Sequence, residues 1–351
     1  MINKSITNHG NQYNLEKIKV QTINEKIIAY SNQKIRLDIE EGKMGFCIYF
    51  FKLSRLLQET QYQKLAENLL NDIYAELGDE PTVRAVYELV QIGMGIDYLV
   101  RQNYVKGNIN AILTDIDNLI FKKLAFEKVS VTYQTTGIIP ILYYICIRIK
   151  QQNKGSDARF ISEELCIKLF NDLYLSLDSG FYEEPFLFNI LDYRLPQFLY
   201  VVNKMYSLQF YNYRIVEVLK EISGLILSKI PVLHANRLYL LWSLLNLKET
   251  TVSNTWDEQI DILANHIDYQ KIIYRELRNR DVFIRDGVAG IYLLLNALKN
   301  TYRPIPFEKN IFQKKIEKSE IWKAPQAFGT FGLINGFSGA LLVYNLIINE
   351  K

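Results

Sequence analysis

The stretch GLINGFSGALLVYNLI, from Gly332 to Ile347, sets three glycines (Gly332, Gly336, Gly339) at the start of an apolar run with helical spacing. Glycine costs a helix about 1 kcal/mol relative to alanine, so its presence answers to something other than helix propensity. A Gly-x-x-x-Gly pair in an apolar run is one pattern of paired membrane helices. Here the run to Ile348 is shorter than the ~20 residues that span a bilayer, and Asn335, Ser338 and Asn345 interrupt it. The other reading is a tight helix entrance at which backbones approach closely. That reading predicts further copies along the chain.

The copies are present. GKMGFCIYFFKLSRLL starts at Gly42, QIGMGIDYLV at Gln91, TTGIIPILYYICIRI at Thr135 and DGVAGIYLLLNAL at Asp286. Two weaker versions, DYRLPQFLYVVNKMY from Asp192 and HANRLYLLWSLLNL from His234, fill the middle. With the C-terminal copy they recur roughly every 40 to 55 residues, the mark of a repeat architecture. A more amphipathic segment precedes each: 13–30, 61–77, 108–124, 157–177, 213–230, 256–277 and 307–318. In QKLAENLLNDIYAEL, Leu65, Leu69, Ile73 and Leu77 share one stripe, as in a helix with one buried face. The glycine-led segments are apolar nearly all round, as expected of an inner layer packed on both sides. The sequence therefore predicts an all-α chain of seven outer–inner helix pairs. A closed ring is favoured over an open array, because the last inner segment has no polar capping repeat.

Composition narrows the function. Of 351 residues, 41 are basic and 38 acidic, a net charge of +3 with no polybasic run, so no nucleic-acid partner and no membrane insertion are expected. Cys47, Cys146 and Cys166 lie in apolar helical patterns and form neither a disulfide framework nor a zinc-type Cys-x-x-Cys spacing. With a polar start, MINKSITNHGNQYNLEKIK, the expected compartment is the cytoplasm.

Seven helical hairpins with Gly-x-x-Gly entrances resemble the lanthionine synthetase C-like (LanC-like) family. GKMG at 42–45, IGMGIDYLV at 92–100, DGVAGIYLLL at 286–295 and GLINGFSGALL at 332–342 carry the likeness. It spans essentially the whole chain, 1–351, read as a single domain. The resemblance implies an α/α toroid whose inner helices begin around a central cavity. It also implies a part in maturing a ribosomally made, lanthipeptide-type precursor peptide, with a peptide dehydratase as a second partner. In the family, a zinc ion activates a cysteine thiol for addition across a dehydrated residue. Two cysteines and a histidine hold it, the last two as Cys-His-Gly before the sixth inner helix. The corresponding run here is Arg285-Asp286-Gly287, and IPVLHANRLYLLW before the fifth inner helix contains no cysteine. Arginine offers no lone pair to a metal. The chain is identified as a divergent member lacking the zinc ligands, with no cofactor expected, and as a binder of peptide or partner enzyme.

The candidate binding residues are Arg285 and Asp286, joined by His234, Arg237, Asp192 and Arg194, all near inferred helix starts. Arginine and aspartate could bind peptide carboxylates and amides, and imidazole could serve as a base or lone ligand. Each also has a local alternative, as a helix cap or ion-pair partner. Helix N-termini would add a positive potential favouring acidic ligands. Two other readings stay open: a cyclase using other groups, and a carbohydrate-active toroid. The latter would draw a carboxylate pair from Asp38, Glu40, Glu41, Asp97 and Asp192. The tyrosines of FYNYR (210–214) and the pair Tyr143–Tyr144 are candidate peptide-contact surfaces.

Overall fold

A computed structural model describes residues 8–79, 85–126, 134–250, 254–323, 325–328 and 330–349, and every regular element among them is helical. The outer layer consists of α1 (Asn8–Ser31), α3 (Thr60–Asp79), α5 (Ile109–Phe126), α7 (Asp157–Leu175), α9 (Asn212–Leu227), α11 (Asp257–Asn265) and α13 (Lys309–Glu317). Between them run the inner helices α2 (Lys43–Leu57), α4 (Val86–Arg101), α6 (Gln134–Gln151), α8 (Arg194–Leu208), α10 (His234–Thr250), α12 (Val288–Leu298) and α14 (Phe337–Asn349). The burial follows the pattern of the sequence. In α2 every residue from Lys43 to Phe51 is buried, whereas α3 buries Ala66, Leu69, Leu70 and Ile73 and exposes Lys64, Glu67 and Asp72.

Each inner helix packs on the next, and α14 packs on α2. The ring is closed. The pairing differs in register from the simple expectation, because each outer helix packs chiefly on the inner helix before it in sequence: α3 on α2, α5 on α4, α7 on α6, α9 on α8, α11 on α10. α13 lies across α12 and α14, and α1 covers α14 from the other end of the chain. The N-terminal helix thus completes the last repeat.

Two expected elements are revised. The sixth outer segment is not one helix over 256–277. It breaks after Asn265, restarts at Tyr269 under an Asp268 cap, and ends in a π-helical turn, Ile272–Glu276. The second inner helix begins at Val86, so Gly93 and Gly95 lie inside it and not at its entrance. Their role is helix-to-helix contact. A Cβ at Gly93 would run into the ring of Tyr144 on α6, and one at Gly95 into Met44 on α2.

The three Gly-x-x-Gly entrances to α2, α12 and α14 share one construction. The loop ahead of each helix folds back so that its carbonyls accept from the first helical amides seven residues on. Lys43 N donates to Arg36 O at 2.9 Å, Val288 N to Asp281 O at 3.0 Å, and Phe337 N to Thr330 O at 3.1 Å. The next amide repeats the offset in each case: Met44 to Leu37, Ala289 to Val282, Ser338 to Phe331. Gly45, Gly290 and Gly339 stand at the third helical position, where a Cβ would lie under 3.0 Å from the loop carbonyl of Ile39, Ile284 and Leu333 respectively. Gly42 and Gly287 are in extended conformation, so glycine is required there for space, not for a left-handed backbone. These glycines make room chiefly for their own entrance loops.

Candidate functional site

The entrance loops meet at one end of the ring, called here the mouth. Ile190 N donates to Arg285 O (2.9 Å), Arg285 N to Ile334 O (3.0 Å) and Ile334 N to Glu40 O (3.2 Å). One ladder of backbone bonds therefore links the loops before α8, α12, α14 and α2. The start of α4 joins through side chains: Glu88 accepts from Leu37 N at 2.8 Å and Gln91 from Ile39 N at 2.9 Å.

Within this frame the six candidate residues fall into two groups. Arg285 and Asp286 form an ion pair, Nη2 to Oδ2 at 3.1 Å, with side chains 37% and 32% exposed. The loop carrying Asp192 lies beside them through the Ile190–Arg285 bond. Asp192 is exposed and accepts from Asn189 at 2.7 Å, while Arg194 is the first residue of α8. His234 and Arg237 instead face α11 and the loop before α10. Arg237 donates to the carbonyls of Pro231 (2.5 Å), His266 (2.9 Å) and Val232 (3.1 Å). His234 Nδ1 lies 2.9 Å from His266 O and 3.2 Å from Asp268 N, either of which it can bond according to its tautomer. Both pin the broken sixth outer segment to the ring.

Several mouth residues carry no motif that sequence reading could seize. Glu40 is held by the Tyr87 hydroxyl and by Gln91 Nε2 (2.9 Å). Burial and Glu40 both push the Tyr87 pKa up, so it stays a hydroxyl donor. Asn335 donates to Glu41 at 3.0 Å. Its Oδ1 and the Ser338 Oγ are buried without a hydrogen-bond partner among the described residues. Glu276 accepts from the His234 and Ala235 amides (2.7 and 3.0 Å), and Glu184 from Val232 N and Asn236 Nδ2. The spacing of Tyr87, Gln91 and Met94 on one face of α4 was the available signal.

The electrostatics of the mouth correct the expectation from helix dipoles. The first amides of α2, α12 and α14 are already taken by loop carbonyls. Asp38 holds Glu41 N and Gly42 N at 2.9 and 3.0 Å, and Glu276 caps α10. Little donor potential is left for an external anion, and the side chains around the ladder are mainly carboxylates. The carbohydrate reading loses two of its acids in the same way. Asp38 is 1% exposed and used as a cap, and Asp97, fully buried in the last half of α4, is bound by Arg101 and Gln151.

No family model matches the chain, and no curated protein matches it significantly by sequence. Comparison with solved structures is decisive for the fold. The chain has the fold of nisin cyclase. The two superimpose with a TM-score of 0.62 over 96% of this chain and 93% of that one, at 15% sequence identity. The ring described above is thus an α/α toroid of the same fold as nisin cyclase.

The donor set of this toroid does not suit the zinc ion that the sequence resemblance implies. Arg285 and Asp286 stand where the sequence resemblance implies a cysteine and a histidine, and the guanidinium has no lone pair to give. One Asp286 oxygen is engaged by that guanidinium. Cys47, Cys146 and Cys166 are buried, and the Cys47 thiol, raised in pKa by burial, donates to Ala66 O on the outer layer. Among the described residues no group of three or more His, Cys, Asp or Glu could hold a metal. No described helix is long and apolar enough to cross a membrane.

Proposed function

We propose that this protein acts in the maturation of a ribosomally made peptide, as a single LanC-like domain that holds the precursor peptide at its mouth without zinc-dependent thioether closure. The observation that supports the reading is the part-exposed Arg285–Asp286 pair in the ladder of entrance loops, on a fold shared with nisin cyclase. A peptide main chain fits the accessible groups: Arg285 can donate to its carbonyls, while Asp286 can accept from its amides. Asp192 and Arg194 border the same loops. A peptide dehydratase is the partner expected to supply the modified precursor.

The test is binding of the precursor peptide encoded beside the gene to the wild-type protein and to Arg285→Ala. A charge-assisted hydrogen bond lost on truncation corresponds to about tenfold weaker binding or more, with the melting temperature little changed because the pair is part-exposed. Elemental analysis of protein purified without chelators should find well under one zinc per chain. Normal peptide affinity in Arg285→Ala, or one tightly held zinc lost on mutating His234 or Cys47, overturns the reading.

A further inference from the structure

The half of the ring lumen away from the mouth has a different lining. Tyr143 on α6, Tyr200 on α8 and Trp242 on α10 form a row across three successive inner helices, with ring centroids 5.7 Å and 4.8 Å apart. All three are half-buried, whereas neighbouring residues such as Tyr144, Leu199 and Leu241 are fully buried. Their stripes continue those that start at the mouth, through Gln197 to Tyr200 and through Tyr239 to Trp242, so the row faces the ring axis.

One ammonium group sits over this row and a second over a tyrosine of α4, the inner helix before α6. Lys204 Nζ lies 4.6 Å from the Tyr200 centroid, and Lys52 Nζ lies 5.5 Å from that of Tyr98 on α4. Neither forms an ion pair with a carboxylate among the described residues. Neither is in the last turn of its helix, where complementing the helix dipole would explain a cation. Burial lowers the pKa of Lys52. Burial raises the pKa of Tyr98, Tyr143 and Tyr200, and the charge of Arg101 opposes the rise in all three. A partly desolvated ammonium without a counter-charge is costly unless an anion joins it.

We infer that this half of the lumen binds an aromatic ring carrying a nearby carboxylate, the ring packing on the Tyr143–Tyr200–Trp242 row and the carboxylate meeting Lys204 or Lys52. Aromatic pairs at offset or edge geometry supply specificity beyond buried area, and the two cations supply the selection for an anion. The ligand could be a free aromatic acid or an aromatic residue next to an acidic one in a peptide.

The test is a titration of the full chain followed by tryptophan fluorescence, with Trp242→Phe to locate the signal. The probes are N-acetyl-phenylalanine, its uncharged amide, and the capped peptide acetyl-Gly-Glu-Phe-Gly-amide. Saturable binding of a charged probe is expected, at least about tenfold tighter than the amide, with the Trp242 signal lost in Trp242→Phe. Lys204→Met or Lys52→Met, whichever removes the partner of the carboxylate, should weaken it by about tenfold, while Lys204→Arg retains it. Preference for the free acid or for the peptide identifies the source. Equal binding of acid and amide, normal binding by both Lys→Met variants with unchanged melting, or no saturable signal from either charged probe overturns the inference.

Discussion

At the residue scale, the Gly-x-x-Gly motif is a steric device. Gly290 and Gly339 face the carbonyls of Ile284 and Leu333 so closely that even a methyl group cannot enter without displacing the loop. Gly339→Ala and Gly290→Ala should each cost about 1 to 3 kcal/mol through overpacking, read as a drop in the urea midpoint at constant slope. Gly224 provides the contrast: it lies in α9, exposed, and a Cβ added there would meet nothing within 4 Å. Gly224→Ala should stabilise the protein by roughly 0.5 to 1 kcal/mol by restoring helix propensity. The thiols give a second check. Cys47, Cys146 and Cys166 are all buried, and the pKa of Cys47 is raised by burial and that of Cys166 by its hydrogen bond to Cys146 together with burial. A thiolate is the reactive form, so the native protein should show no fast-reacting thiol toward an aromatic disulfide reagent at neutral pH, and three after unfolding in denaturant.

Between elements, the ring is held by polar joints set in an apolar layer. The foremost is Arg148 on α6, 2% exposed, which meets Asp117 on α5 at 2.9 Å, while the Tyr144 hydroxyl donates to the same carboxylate at 2.7 Å. Arg148 also reaches Gln151, and Gln151 reaches Asp97 on α4, so one network joins two inner helices and an outer one. Removing one charge from such a pair leaves the other buried and unpaired. Arg148→Met should therefore destabilise by about 3 to 5 kcal/mol, and adding Asp117→Leu should recover a large part of the loss. Thermal or urea unfolding of the single and double variants measures this. If the double variant is as unstable as the single one, the network contributes by packing more than by charge.

For the whole molecule, closure makes the two ends of the described chain interdependent. α1 lies on α14, and α14 on α2. Ile27 on α1 is fully buried, and Asn24 accepts from the buried Tyr49 hydroxyl of α2 at 2.5 Å. Ile27→Ala should cost about 2 to 5 kcal/mol as a core truncation. Hydrogen exchange should then show protection falling in α14 as well as in α1, although the two are more than 300 residues apart. Loss of protection confined to α1 would mean that it is a dispensable cover. An open array would fray from each end independently; a closed one shares the damage.

The all-helical class, the alternation of amphipathic and apolar helices and the closed ring were legible in the sequence, because burial on one face or on both writes itself into residue periodicity. That Arg285 and Asp286 stand just ahead of α12 was equally legible. What periodicity does not encode is which partner a residue meets. Gly93 and Gly45 look alike as letters, yet one admits the ring of Tyr144 from a neighbouring helix and the other the carbonyl of its own loop. The grouping of Arg285 with Asp192 and the turning of His234 and Arg237 toward His266 follow from how the entrance loops pair. So does the quenching of the helix N-termini. Those contacts link residues tens to hundreds of positions apart, and they are set by ring closure and loop hydrogen bonding, which only the tertiary structure decides.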